Sequence, residues 1–241
     1  MNLNLRVHDV PIVLLHSPLV GPFTWRLVAE YIRKMGTEVF IPTLRNHDNS
    51  CCYWKDHAWS VSEALQTIPP HSSIVLVGHS GAGSLLPSVR DRLDHKVIGY
   101  IFVDAIIPRH NCSRLDQFST PAEAEAFRSA ASDGKLPVWK EEHVLDFILD
   151  PTTRRQFVHE LAPMPLAVYE EKIPVPAYWP DAPCAFLHFS FSDTYLPFRK
   201  EAEENGWLTA SVPGRHFHML EGPETVGNTL LDLMERLLDQ Q

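Results

Sequence analysis

Ile74-Val75-Leu76-Val77-Gly78-His79-Ser80-Gly81-Ala82-Gly83 is the stretch from which the rest of the chain is best read. Its four leading apolar residues, three of them β-branched, suit a strand buried on both faces. Small residues follow, and then Leu85, Leu86, Val89 and Leu93 recur at helical spacing. The order is therefore strand, tight turn, helix. A serine on such a turn needs small neighbours, so that its hydroxyl projects while strand and helix pass closely. Gly78, Gly81, Ala82 and Gly83 meet that need around Ser80. The pattern is G-x-S-x-G with alanine in the last place and a glycine one residue later. A phosphate-cradling loop is the competing use of a glycine-rich turn, but neither G-x-x-x-x-G-K-[ST] nor G-x-G-x-x-G is present.

Further apolar runs lie on either side, at 12–15, 38–41, 97–103, 184–189 and 208–212. With 74–77 they make six expected core strands. Trp25, Val28, Ile32 and Met35 repeat at steps of three and four, and Gly36 follows as a helix-ending residue. Val226, Leu230, Met234, Leu237 and Leu238 repeat the pattern near the C-terminus. This alternation predicts an α/β fold, with a mostly parallel six-stranded sheet flanked by helices. Residues 108–183 break it. Helices are expected at 121–132, 140–149 and 152–161, then a tract with Pro163, Pro165, Pro174, Pro176, Pro180 and Pro183, and no strand. An insertion of this length between the fourth and fifth core strands predicts a helical cap over the carboxyl ends of the strands. Residues 1–241 are expected to form one domain with that cap included.

Lys and Arg total 21 against 30 Asp and Glu, a net charge of −9. No basic run is long enough to follow a phosphate backbone, which argues against a nucleic-acid partner. Met1-Asn2-Leu3-Asn4-Leu5-Arg6 lacks the apolar centre of a signal peptide, and no apolar run reaches membrane-spanning length. The expectation is a soluble, cytoplasmic protein that acts on a small molecule without membrane contact. Cys51, Cys52, Cys112 and Cys184 show no CxxC pair and are read as reduced thiols rather than zinc ligands.

On the turn around Ser80, and over almost its whole length, the chain resembles the α/β-hydrolase superfamily. His16-Ser17-Pro18-Leu19-Val20-Gly21-Pro22-Phe23-Thr24-Trp25 is similar to the loop after the first core strand in plant methylesterases and hydroxynitrile lyases. Pro213-Gly214-Arg215-His216-Phe217-His218-Met219-Leu220-Glu221-Gly222-Pro223 resembles the family's histidine loop. The resemblance implies Ser80 as nucleophile and His216 as general base, with His218 and His79 as nearby rivals. Two carboxylates compete to orient the imidazole. Asp104, which ends the strand after the serine turn, resembles the acid of certain haloalkane dehalogenases and is favoured. Asp193, in Ser190-Phe191-Ser192-Asp193-Thr194-Tyr195-Leu196-Pro197, is similar to the commoner acid loop G-x-x-D-x-x-x-P and is the alternative. Either keeps the chain order Ser, Asp, His.

An oxyanion hole in this family takes one N–H from the residue after the nucleophile, here Gly81, and one from the loop after the first strand. Pro18 stands at that second place and has no N–H. Leu19 N–H or the Ser17 hydroxyl is expected to substitute. The implied activity is hydrolysis of an ester, thioester or lactone through acyl-Ser80, with no metal or organic cofactor. Pro18 keeps open a lyase or cyclase, or a ligand-binding protein without turnover. The pocket is expected between Ser80 and the cap, where Trp139, Phe147, Phe157, Tyr169, Tyr178 and Trp179 supply large rings.

Overall fold

The computed structural model describes residues 6–48 and 50–240. Within them the strands are β1 (Ile12–Leu15), β2 (Val39–Phe40), β3 (Ser73–Ser80), β4 (Lys96–Ala105), β5 (Lys135–Leu136), β6 (Met164–Pro165), β7 (Cys184–Phe189) and β8 (Leu208–Val212). All but β5 and β6 join one sheet in the order β2-β1-β3-β4-β7-β8, and each neighbouring pair is parallel. Alternate residues of these strands go to opposite faces. Ile12, Leu14, Val75, Val77, Ile101, Val103, Ala185 and Leu187 enter one core cluster; Val13, Leu15, Ile74, Leu76, Tyr100, Phe102 and Phe186 enter the other. Both faces being covered is why the runs read as continuously apolar. A one-residue slip would exchange the two sets, and burying each such side chain is worth roughly 1.5–3 kcal/mol, so the register is firmly held.

The helices are α1 (Phe23–Lys34), α2 (Tyr53–Ala64), α3 (Leu86–Arg92), α4 (Pro121–Ser129), α5 (Pro151–His159), α6 (Ala167–Glu170), α7 (Leu196–Glu204), α8 (His218–Glu221) and α9 (Pro223–Leu238). Residues of α1 and α9 fill the first cluster, and residues of α2, α3 and α7 fill the second. The direction of winding reverses between β1 and β3, since the chain passes from β1 to α1 on one face and from β3 to α3 on the other. Loops that part in this way open a crevice at the carboxyl ends of the two strands.

The inserted segment departs from expectation in two places. No α-helix spans 140–149: the chain makes a 3-10 turn at Glu141–Val144, and Arg154 Nη1 takes the carbonyls of Ile148 and Leu149. Pro151 fixes where α5 begins: the residue before a proline is driven out of helical geometry, so Asp150 is extended and caps α5 by accepting Thr153 N–H at 2.7 Å. A short antiparallel pair, β5 with β6, also forms where the proline tract predicts no strand. It tolerates Pro165 because it is an isolated pair of two-residue strands, in which a missing donor can face outward. Helices α2 and α7 escape sequence reading because their buried stripes are thin: Phe198 and Ala202 alone in α7, and Tyr53, His57, Ala58 and Val61 in α2. No helix among the described residues is long and apolar enough to cross a membrane, and all four cysteines are free.

Candidate active site

Ser80 closes β3 with a φ of 56°, in the left-handed region, after a register shift against β4 between His79 and Ser80. Such a backbone costs a non-glycine residue about 1–3 kcal/mol and persists only when its surroundings enforce it. Here Ile106 N–H donates to Ser80 C=O (3.2 Å) and Ala82 N–H to His79 C=O (3.0 Å), locking the turn on both sides. A Cβ on Gly83 would lie 2.1 Å from Ile106 O, so this is the position that must be glycine. The Ala82 methyl group is accommodated in the core, which explains why the motif carries its glycine one residue late.

Asp104, fully buried near the carboxyl end of β4, also has a positive φ, 41°. Its Oδ1 accepts from His188 Nδ1 and from Phe189 N–H, both at 2.9 Å, and its Oδ2 accepts from His216 Nδ1 at 3.2 Å. Burial would raise this carboxyl, but the hydrogen bonds from His188, His216 and Phe189 outweigh it and hold the group down at about 2. An ionised acceptor fixes the proton of His216 on Nδ1, which leaves the lone pair on Nε2. His79 props the same loop: its Nε2 donates to His216 C=O at 3.0 Å, and its ring packs 4.4 Å from the imidazole. Burial pushes His79 well below the ordinary histidine value, so it stays neutral. His218 lies at the head of α8 between Gly214 and Gly222, against Phe189. Asp193 is exposed at the cavity rim, in the turn Asp193–Tyr195, with no hydrogen bond to His216 among the described residues.

The Ser80 hydroxyl is bound elsewhere than the resemblance implies. It shares a hydrogen bond of 2.9 Å with Tyr195 OH, and none to His216 is present among the described residues. The Tyr195 ring lies flat on the imidazole, with centroids 4.6 Å apart and planes 4° from parallel. Desolvation pushes the phenol well above its usual value, so it keeps its proton.

The loop after β1 is tied to the loop after β2 by hydrogen bonds through His16 and Asn46. His16, kept neutral by burial at about 4, donates from Nδ1 to Ser17 C=O (2.9 Å) and accepts Leu44 N–H at Nε2 (3.1 Å). Asn46 Nδ2 donates to Pro18 C=O (2.9 Å), and His57 Nε2 donates to Asn46 Oδ1 (2.8 Å). Leu19 N–H points at Ser17 Oγ over a long 3.4 Å, and that oxygen is also 3.3 Å from Tyr169 OH. Leu19, Ser80, Gly81 and His216 line one cavity of about 490 Å³. Trp139, Phe147 and Tyr169 of the inserted segment line it too. The other expected rings are elsewhere: Phe157 packs on Phe217, Trp179 on Phe102 and Trp207, and Tyr178 is exposed beside Asp91. No group of three or more His, Cys, Asp and Glu side chains among the described residues could hold a metal ion.

A model of the α/β hydrolase family matches residues 12–228. The chain belongs to the α/β-hydrolase family. It is 25% identical over 240 residues to a carbendazim-hydrolysing esterase of a Nocardioides strain, covering 92% of this chain and 98% of that protein. An extracellular α/β-hydrolase of a Paenibacillus species superposes with a TM-score of 0.78 at 19% identity, over 93% and 98% of the two chains. That structure is described as sharing structural and functional homology with tobacco salicylic acid binding protein 2. A pyrethroid hydrolase of Sphingobium faniae gives a TM-score of 0.68 at 17% identity, over 93% and 97%.

Four side chains of this hydrolase site carry no role that the sequence alone suggests. His188 has a visible signal, as a polar residue in the apolar run Cys-Ala-Phe-Leu-His-Phe at a strand's carboxyl end. Tyr195 lies in the same loop motif as Asp193, two residues from it. Arg114 and Gln117 also line the cavity, and nothing in their local sequence marks them as buried.

Proposed function

We propose that this hydrolase cleaves a carboxylic ester, thioester or lactone of small to medium, largely apolar structure through an acyl-Ser80 intermediate. In this reading the Ser80 hydroxyl turns from Tyr195 to His216 Nε2 and gives up its proton as Oγ attacks the carbonyl carbon. His216 then hands the proton to the leaving oxygen or sulfur, and water repeats the sequence in reverse to release the acid. Asp104, with His188 behind it, holds the tautomer and faces the imidazolium as it forms. Gly81 N–H and Leu19 N–H receive the oxyanion, and each such donor is worth about 2.7–4 kcal/mol in the transition state. Residues 108–183 act as the cap that walls the acyl pocket.

The observation that carries this reading is a buried Asp104 hydrogen-bonded to His216, which lines the same cavity as a serine held in left-handed geometry. The activities named for the Nocardioides esterase and the Sphingobium pyrethroid hydrolase support ester cleavage. Labelling with a fluorophosphonate and peptide mapping tests it: modification at Ser80 alone is expected, together with a burst of p-nitrophenol from short-chain esters. No labelling of folded protein, or labelling elsewhere, would overturn it. The Tyr195–Ser80 hydrogen bond favours a second reading, a lyase or cyclase in which phenol, serine and imidazole relay a proton. It requires Ser80 and His216 but leaves no acyl-enzyme, so trapping with a slow ester separates the two.

A further inference from the structure

Pro18 leaves the loop after β1 without the N–H that its position would supply, and substitution by Leu19 N–H makes the setting of one peptide plane decisive. The Pro18 carbonyl and the Leu19 N–H belong to the same trans peptide unit, so they point in opposite directions. A group that grips the carbonyl therefore aims the N–H.

Asn46, in the loop after β2, is that group: its Nδ2 donates to Pro18 C=O at 2.9 Å. From the other edge of the same plane Leu19 N–H is aimed at Ser17 Oγ over 3.4 Å. Ser17 Oγ lies 3.3 Å from where a Cβ on Gly81 would stand, so the N–H is turned toward the residue that carries the first oxyanion donor. Leu19, Ser80 and Gly81 line one cavity. A bond of 3.4 Å to a neutral hydroxyl is weak, and an oxyanion is a much stronger acceptor, so the N–H can exchange one for the other.

An asparagine amide can face either way, and His57 decides which. This residue of α2 is fully buried, with Nε2 2.8 Å from Asn46 Oδ1 and with no hydrogen-bond partner for Nδ1 among the described residues. Burial keeps the ring neutral, so it has a single N–H to place. On Nε2 that N–H finds an acceptor in Oδ1; on Nδ1 it would be a buried donor without one, which is costly. With Oδ1 engaged, the amide turns its NH2 group to Pro18 C=O, which can only accept. Each orientation in the series His57, Asn46, Pro18–Leu19 fixes the next.

We infer that Asn46 is a positioning residue for the oxyanion hole, holding the Pro18–Leu19 peptide so that Leu19 N–H faces the acyl oxygen, and that His57 sets the direction of its amide. The inference rests on the acyl-Ser80 reading, in which Leu19 is the second donor. Neither Asn46 nor His57 lines the cavity that holds Ser80, so both act through the peptide and not by touching substrate.

The experiment sets four variants against a short-chain p-nitrophenyl ester and an alkyl boronic acid of matching length, whose tetrahedral adduct on Ser80 places an oxygen where the oxyanion forms. Asn46→Leu and Asn46→Asp both remove the donor to Pro18 C=O, and the second keeps the shape. Each should lower kcat about ten- to a hundredfold with KM within about twofold, short of the hundred- to thousandfold loss of a deleted donor. Boronic acid affinity should fall in the same proportion as kcat/KM, a parallel that a merely structural role does not produce. His57→Leu frees the amide to turn and should lose activity in the same way, whereas His57→Gln, with an N–H at the place of Nε2, should recover most of it. The Asn46 variants keep the test decisive if His57→Leu does not fold. Wild-type kcat and boronic acid affinity in the Asn46 variants would overturn the positioning role, as would a loss of kcat that leaves boronic acid affinity untouched. His57→Gln as poor as a folded His57→Leu would overturn the part given to His57. Where fluorophosphonate labels Ser80 of wild type, these results sink the positioning role alone; where it does not, the acyl-Ser80 reading and the positioning role fall together.

Discussion

At the scale of single residues the site turns on which carboxylate faces His216. Asp104 is fully buried, takes three hydrogen bonds and touches the imidazole directly; Asp193 is exposed and does not. Asp104→Asn should therefore lower kcat by roughly 10⁴ with the fold retained, because the amide presents the imidazole in the wrong tautomer. Asp193→Asn should stay within a few-fold of wild type; steady-state kinetics on one p-nitrophenyl ester decides, and a reversed ranking would move the acid to the other loop. In the acyl-Ser80 reading Tyr195, which holds the Ser80 hydroxyl and stacks on the imidazole, would compete with His216 for it. A neutral hydrogen bond has a net worth of about 1 kcal/mol, so Tyr195→Phe should speed fluorophosphonate labelling of Ser80 about fivefold. Slower labelling would instead make the phenol a participant in the chemistry.

Elements position these residues through close backbone approach. The serine turn passes so near the strand beside it that Gly83 has only 2.1 Å between an added Cβ and Ile106 O, a backbone atom that cannot move alone. At Gly81 the nearest obstacle is Tyr169 OH, the end of a side chain, at 2.9 Å. Gly83→Ala should cost about 2–3 kcal/mol, seen as a fall in Tm of roughly 5–10 °C, with loss of activity because Ser80 shifts. Gly81→Ala should be clearly milder in Tm; calorimetry of the two variants checks the contrast. The loop after β1 shows the same principle by other means, since Pro18 supplies no N–H and the loop is instead pinned at its carbonyls by His16 and Asn46.

At the scale of the whole molecule, buried charge links stability to pH. Glu171 is pushed up to about 7 by burial, against 4.5 unfolded, with Arg114 pulling the other way. A carboxyl raised on folding binds a proton in the native state that the unfolded chain has already released. Its contribution is therefore lost as pH rises from about 4.5 to 7, by up to about 3 kcal/mol. Urea unfolding at pH 5 and pH 8 should show Glu171→Gln gaining on wild type by that order between the two conditions. A constant gap would mean that the carboxyl is not raised. Asp104, held down at about 2, works in the opposite sense, stabilising above about pH 4 and losing that contribution only as pH falls towards 2.

Six core strands, their mostly parallel pairing and the serine turn are legible in the amino-acid sequence by itself, because short continuous apolar runs, the helical period of 3.6 residues and the need for small side chains at a tight turn are local properties. The same locality marks the histidine loop, through a contiguous motif. What local pattern does not contain is any contact across the chain. His216 meets Asp104 from 112 residues away, Tyr195 meets Ser80 from 115, and His188 reaches Asp104 from 84. In the sequence Arg114 looks like one more surface cation; only the packing of Gly81, Val168 and Tyr169 around it makes it a buried one. Periodicity says which face a residue takes, and so it decided the fold; the partner a polar group finds on that face depends on which loops the closed sheet brings together, and only the tertiary structure decides that.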